Sequence, residues 1–362
     1  MPVPLFATSL AGRQEEIALK LAEVTASGRY ILGPEVDAFE AELALYLGVR
    51  HCVGVGNGTD AITIALRALG VGRGDEVVLP SFTFYATAEA TVNAGATPVF
   101  CDVDPATFCV TEETVRAALT PRTRAIVPVH LFGNVAPAEE LRDLGVAVLE
   151  DAAQAAGAIR AGRRAGALGH AATFSFFPSK NLGGLGDGGA VVTDDDEVAA
   201  VARRLRFHGS EDKRTHTEVG YNSRLDSLQA AVLRVLLPDL DAANAARRAA
   251  ASAYREHGLH DLLEPPYVEP GVEHAYHLYV VRTESPDELA AALAAQEIGA
   301  RGYYRTPAHR QPAMARWAPA DGALPGTDEA ARTNLALPMG PDLRERDVAE
   351  VLDACEKALA PV

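Results

Sequence analysis

Residues 172–193 read ATFSFFPSKNLGGLGDGGAVVT. A β-rich run, Ala172 to Phe176, carries Ser175 and leads to Lys180. A loop containing Gly183, Gly184, Gly186, Gly188 and Gly189 follows, and a second β-rich run spans Ala190 to Thr193. Lysine is ordinarily a solvated surface group. Here it follows an apolar strand and precedes glycines, which let backbone approach a bound ring or phosphate closely. Further candidate strands lie upstream at His51 to Val55, Glu76 to Leu79, Thr97 to Cys101, Ala125 to Val129 and Val146 to Leu149. Helical patterns separate them. One is Asp60 to Leu69, whose Ile62, Leu66 and Leu69 share a face. Such alternation predicts an α/β fold with a mainly parallel seven-stranded sheet flanked by helices. In open sheets of this kind, chemistry gathers at the carboxyl ends of the strands.

Outward from the sheet, Val36, Phe39, Leu43 and Leu47 mark an amphipathic helix on the amino-terminal side. On the other side, a long helical region from Ser223 to about Arg255, interrupted near Pro238, reads as a connector. The last third predicts a smaller α+β domain. It contains a strand over Ala275 to Arg282 and a helix with Ser285 as cap, Pro286 at its first position and Glu288 completing a capping box. A final helix is expected from Arg344 to Leu359. The expected division is 1–250 for the amino-terminal segment, large domain and connector helix, and 251–362 for the small domain.

Lys+Arg 33 against Asp+Glu 49 leaves a net charge of −16, which argues against nucleic acid and anionic membrane as partners. An anionic substrate would need a locally basic pocket. Cys52, Cys101, Cys109 and Cys355 have no metal-ligand spacing and read as reduced core thiols, so no metal is expected. The first residues show no basic segment followed by an apolar run, and no stretch reaches membrane-spanning length. A cytoplasmic protein is therefore expected.

In VLEDAAQ, the strand Val146 to Leu149 runs straight into Glu150 and Asp151. An isolated aspartate there would read as a helix cap. A desolvated lysine with a lowered pKa can form an imine, and a carboxylate can hold a pyridine nitrogen protonated. Together, Lys180 and Asp151 form the pair that pyridoxal 5′-phosphate (PLP) chemistry requires. The cofactor's phosphate needs donors, and Gly56–Asn57–Gly58–Thr59, between a strand and a helix, supplies backbone N–H groups and a hydroxyl. The same motif also caps helices that bind nothing. Ser175 could add a hydroxyl, and Phe84, within PSFTFYATAEA, is the expected platform for the ring, with core packing as its alternative.

NGTDAI at 57–62, EDAAQ at 150–154, SFFPSKNLG at 175–183, GDGGA at 186–190 and GYNSRLDSLQAA at 220–231 together resemble the DegT/DnrJ/EryC1/StrS sugar aminotransferases. The resemblance runs from GRYILGPEV near the amino end to LALPMGP near Pro338. It implies a fold-type-I PLP enzyme, homodimeric with shared active sites, cycling through pyridoxamine 5′-phosphate (PMP). Lys180 would be the Schiff-base residue and Asp151 would meet the pyridinium. Gln154 would lie near the ring's 3-hydroxyl, with Gly58, Thr59 and Ser175 on the phosphate and Asn222 reaching the neighbouring subunit's phosphate. Read locally, Ser223 and Asp226 form a capping box and Asn222 merely leads into the helix.

Arg224 is similar to a substrate-contacting arginine in some members. Tyr304, Pro307 and His309 match a pattern of relatives acting at carbon 3, whereas Tyr303 and Arg305 depart from it. Arg305 could grip a diphosphate or a carboxylate, or lie on the surface. His208 and His216 lie in a polar segment that either covers the site or has no role in it. The implied reaction is transamination of a 3-keto-sugar nucleotide, UDP- or dTDP-linked, with L-glutamate as donor. The alternatives are action at carbon 4, a non-catalytic PLP-binding regulator, or a lyase or dehydratase on the same scaffold.

Overall fold

Seven strands form the central sheet of the computed structural model, which describes residues 2–6, 10 and 12–360. They are β1 (His51–Val55), β2 (Glu76–Pro80), β3 (Thr97–Cys101), β4 (Thr123–Ile126), β5 (Ala147–Asp151), β6 (Ala171–Ser175) and β7 (Gly189–Thr193). Their order across the sheet is β1-β7-β6-β5-β4-β2-β3. From β6 to β3 every pairing is parallel, and β7 runs antiparallel to both of its neighbours. The expected α/β fold is what forms. Strands β2, β5 and β7 are buried along nearly their whole length, as continuous apolar runs between helical layers must be.

Two strand boundaries shift for local reasons. The expected strand over Ala125 to Val129 ends its ladder at Ile126, since Pro128 has no N–H to donate and Val129 makes only an isolated bridge to Asp151. β5 continues two residues beyond Leu149, so Glu150 and Asp151 are strand residues whose side chains leave on opposite faces.

The helix Pro34–Leu47 buries Val36, Phe39, Leu43 and Leu47 against the sheet layer, as its pattern requires. The connector is two helices, Ser227–Leu236 and Leu240–Glu256, joined by a tight turn around Pro238. Helix Leu240–Glu256 contributes Ala250, Ala251 and Tyr254 to a separate apolar cluster with Leu289, Leu293, Val348 and Val351. That cluster lies under an antiparallel pair, β8 (Tyr279–Arg282) and β9 (Asn334–Leu337), and helices Pro286–Ala294 and Glu345–Leu359.

The expected strand from Ala275 starts only at Tyr279. Residues 275–278 instead follow the turn at Phe132–Gly133, with Ala275 and Leu278 N–H groups on the Gly133 and Phe132 carbonyls. Gly133 has φ +99°, and a Cβ there would sit 2.8 Å from the Tyr276 nitrogen, so this junction accepts only glycine. Ser285 stands at the cap position before Pro286, but its side chain makes no capping bond and the expected box does not form. All four cysteines are buried and unpaired. No helix among the described residues is long and apolar enough to cross a membrane.

Candidate active site

The carboxyl ends of β1, β2, β5 and β6 open onto one cavity of about 900 Å³. Its walls include Gly58, Thr59, Phe84, Asp151, Gln154, Ser175, Lys180 and Tyr304, so eight of the residues expected from sequence converge.

The two ends of β5 chemistry separate by face. Glu150 is fully buried away from the cavity, while Asp151 faces into it at 5 % exposure. Loss of hydration raises the Asp151 pKa. Hydrogen bonds from the Thr87 hydroxyl (2.8 Å to Oδ2) and the Ala153 N–H (3.2 Å to Oδ1), together with the charge of Lys180, oppose that rise.

Lys180 sits one turn beyond β6, its N–H on the Phe177 carbonyl at 2.8 Å. Its side chain lines the cavity. Burial lowers its pKa from the ordinary 10.5 to about 8, with Asp151 pulling the other way. The amine is therefore a usable nucleophile and base near neutral pH.

At the far side, the helix Gly58–Ala68 begins directly after β1. Asn57 Oδ1 accepts the Asp60 N–H at 2.8 Å, and helix geometry leaves the Gly58 and Thr59 N–H groups without intrahelical partners. Such a helix start attracts anions. Ser175 closes against it so tightly that a Cβ on Gly58 would lie 2.7 Å from the Ser175 Cβ. Gly189 is equally constrained, since its Cβ would meet the Asn57 carbonyl at 2.5 Å. Two of the glycines around this corner are thus required by close packing of backbone.

Phe84 is 54 % exposed on the cavity wall, its ring 5.8 Å from that of Tyr304. Gln154 is fixed by its partners, since Oε1 accepts the Phe132 N–H at 2.7 Å and Nε2 donates to the Tyr304 hydroxyl at 3.1 Å.

Four expected residues lie elsewhere in this chain. Asn222 and Arg224 bond to each other, with Arg224 over the Phe207 ring, and neither lines the cavity. The capping box read at Ser223 does not form, because the helix starts at Ser227 and Ser223 Oγ accepts the Gly56 N–H at 3.0 Å. Arg305, expected as a substrate grip, is held by the Ala331 and Arg332 carbonyls and by Asp287 at 2.8 Å. His309 is buried with Nδ1 on the Ser81 hydroxyl, facing the Phe100 ring. Neither lines the cavity of this chain, contrary to the expectation, because each is already held by these other partners. His208 and His216 bond within their own loop.

The structure adds two residues that sequence reasoning passed over. Thr87 is the hydroxyl partner of Asp151, and its signal was the spacing of Thr83 and Thr87 one helical turn apart in SFTFYATAEA. His277 lines the cavity at 5 % exposure with Nδ1 unpartnered; burial and the charges of Lys180 and Arg247 hold its pKa well below the ordinary value. Nothing in HAYHLYVV distinguished it from a strand residue.

Apart from Lys180, the charged groups on the cavity wall are, among the described residues, acidic (Asp60, Glu89, Asp151 and Asp187), and no arginine is among them. A second cleft, of about 930 Å³, lies at the opposite ends of the strands. Its lining carries four arginines together with Asp194, Asp195 and Asp196, and Arg50 pairs with Asp196 at 3.1 Å. It brings together no amine and carboxylate of the kind found around Lys180.

A parallel sheet presenting a desolvated lysine, a buried carboxylate and a helix-start anion site in one cavity defines an enzyme built for amine chemistry on a phosphate-bearing cofactor. The model of the DegT/DnrJ/EryC1/StrS aminotransferase family matches residues 12–356, and the chain belongs to that family. It is 47 % identical over 340 residues to the dTDP-3-amino-3,4,6-trideoxy-alpha-D-glucose transaminase of Streptomyces venezuelae, covering 92 % of this chain and 89 % of that one. It is also 47 % identical over 345 residues, 93 % of each chain, to a protein of Geobacillus stearothermophilus named pleiotropic regulatory protein. Among solved structures, S. venezuelae DesV in complex with a ketimine intermediate superposes with a TM-score of 0.96 at 44 % identity, covering 100 % of this chain and 99 % of that one. The protein is a PLP-dependent aminotransferase.

Proposed function

We propose that this aminotransferase moves an amino group from L-glutamate to carbon 3 of a UDP- or dTDP-linked keto-sugar, acting as a homodimer with shared sites. The observation that carries the reading is the convergence of Lys180, Asp151 and the Gly58 helix start on one cavity. The residues present fit PLP: an amine whose pKa is lowered to about 8, a fixed carboxylate, and an anion site where a Cβ on Gly58 has no room.

When bound, PLP supplies an electrophilic carbon for amines and a ring that accepts an electron pair. Lys180 would hold it and, once displaced by the donor, would carry the proton between substrate carbon and cofactor through Nζ. Asp151 would keep the ring nitrogen charged. The N–H groups of Gly58 and Thr59 and the Ser175 hydroxyl would take the phosphate, Phe84 would cover the ring, and Gln154 would meet the 3-hydroxyl.

A cavity wall with acids and no arginine cannot by itself hold a nucleoside diphosphate or a dicarboxylate. Asn222 and Arg224 lie outside the cavity of their own chain, which supports their delivery to the site of a second copy. Carbon 3 is favoured by FFPSKNLG followed by GDGGA and by the 3-amino sugar in the name of the Streptomyces relative.

The test incubates purified protein with PLP and glutamate, then with 3-keto and 4-keto nucleotide sugars, reading products by mass and NMR. A 3-amino product is expected, and a product aminated only at carbon 4 would overturn the assignment. Lys180→Arg is expected to lose both the visible cofactor absorbance and turnover. A regulatory reading is favoured by the name of the Geobacillus relative. In that case glutamate would leave the visible band of the wild-type protein unbleached.

A further inference from the structure

Asp151 is almost fully enclosed, and enclosure favours the neutral acid over the carboxylate that a protonated ring nitrogen needs as partner. The groups around it act against this. Oδ2 accepts the Thr87 hydroxyl at 2.8 Å, and the Thr83 hydroxyl lies 3.2 Å from that of Thr87, both threonines being 2 % exposed or less. Each hydroxyl has one proton to give. With Asp151 anionic, Thr87 donates to it and Thr83 donates to Thr87, so both protons are used. With Asp151 protonated and donating to Thr87, the order reverses and the Thr83 proton has no protein acceptor among the described residues. The chain of hydroxyls is therefore complete in one direction only.

We propose that Thr87, backed by Thr83, is a positioning residue that keeps Asp151 anionic and fixes one of its oxygens for service to the cofactor's ring nitrogen. The inference rests on the cofactor assignment above. Thr87→Val keeps the shape and removes the hydroxyl, while Thr87→Ser keeps the hydroxyl.

Holoenzyme loaded with PLP carrying ¹⁵N in the ring reports the protonation of that nitrogen directly by NMR as pH is varied. A hydrogen bond to a charged group contributes roughly 10- to 100-fold to an equilibrium. The nitrogen in Thr87→Val should therefore lose its proton about one to two pH units lower than in wild type. The glutamate half-reaction should slow by a similar factor, and Thr87→Ser should restore both. Identical titrations in wild type and Thr87→Val, or equal disturbance in the Val and Ser variants, would overturn the proposal. Should Thr87→Val not fold, Thr83→Val is expected to show a smaller shift in the same direction, and no shift there would overturn it equally. Failure of wild type to take up the labelled cofactor on Lys180 would instead sink the cofactor assignment itself.

Discussion

Glu150 offers the sharpest test of the interior that supports the site. Its Oε1 accepts the Leu168 and Gly169 N–H groups, each at 2.7 Å, and its Oε2 accepts the Gly166 N–H and His130 Nε2, each at 2.8 Å. The side chain has no solvent exposure. His130 cannot reverse its roles, because Nδ1 already accepts the Ala136 N–H at 3.0 Å and Nε2 must carry the proton. Four donors thus fill all the acceptor capacity of a carboxylate.

Glu150→Gln keeps the volume but turns one oxygen into an NH₂ group facing two donors, whichever way the amide is flipped. Two bonds to a charged group are lost, each contributing about 1.5–3 kcal/mol, and relief of a buried charge returns part of this. A net loss of about 3 kcal/mol follows. At about 2.1 cal/mol/K per residue, 362 residues give an unfolding entropy near 0.76 kcal/mol/K, so the melting temperature should fall by about 4 °C. Calorimetry at one scan rate and one saturating cofactor concentration would measure it, because bound ligand itself shifts the midpoint. Glu140→Gln, which breaks an ion pair to Arg160 with the glutamate half exposed, should move it by less than about 1 °C. If the Glu150 variant melted within about 1 °C of wild type, the four-donor account of this carboxylate would be wrong.

Other outcomes follow from the same geometry. Gly58→Ala forces a Cβ against Ser175 at 2.7 Å, so the helix start must shift and PLP should bind at least about tenfold more weakly by absorbance titration; unchanged affinity would remove the helix start from the phosphate site. Incorporation of PLP into cofactor-free protein should speed up with pH and level off above about 8, where the Lys180 amine is neutral, whereas a plateau only near 10.5 would contradict its desolvation. His274 is buried as the neutral acceptor of the Tyr276 N–H, with its pKa lowered to about 3. Between pH 6.5 and 3 the unfolded chain binds the extra proton, so stability rises with pH in that window and falls on acidification by about 1.4 kcal/mol per unit. Urea unfolding at pH 7 and pH 5 should show a slope to which the buried neutral His277 adds its own part, and His274→Gln, where an amide oxygen can take over as acceptor, should reduce that slope by the His274 share alone.

The parts of the fold that were legible in the sequence are those that a local pattern dictates. Val36, Phe39, Leu43 and Leu47 occupy one helical face whatever lies across from them, and they are buried as that pattern demands. Runs such as Glu76–Pro80 need only two covering layers to become strands. Errors fell where a single residue or a distant contact overrules the pattern. Pro128 ends a ladder for want of one N–H, and residues 275–278 leave their extended pattern to bond the turn at Gly133. The same distinction sorts the site. Asp151, Ser175 and Gly58 stand at the ends of strands or the start of a helix, and Lys180 one turn beyond, so the sheet alone carries them to one edge.

Arg305 and His309 lie in an irregular segment far from any strand end, where the choice of partner is made by whichever acceptor the tertiary fold brings near. For Arg305 that is a pair of helix-terminal carbonyls and Asp287, and for His309 it is Ser81. An arginine satisfied by three acceptors gains little by turning towards an anion, which weighs against the anion grip that its guanidinium chemistry suggested. Tyr304, from the same segment, differs because its hydroxyl is the only partner of the Gln154 Nε2 among the described residues, and its ring stands against Phe132 and Phe84. One short stretch therefore supplies both a wall of the cavity and two residues turned away from it.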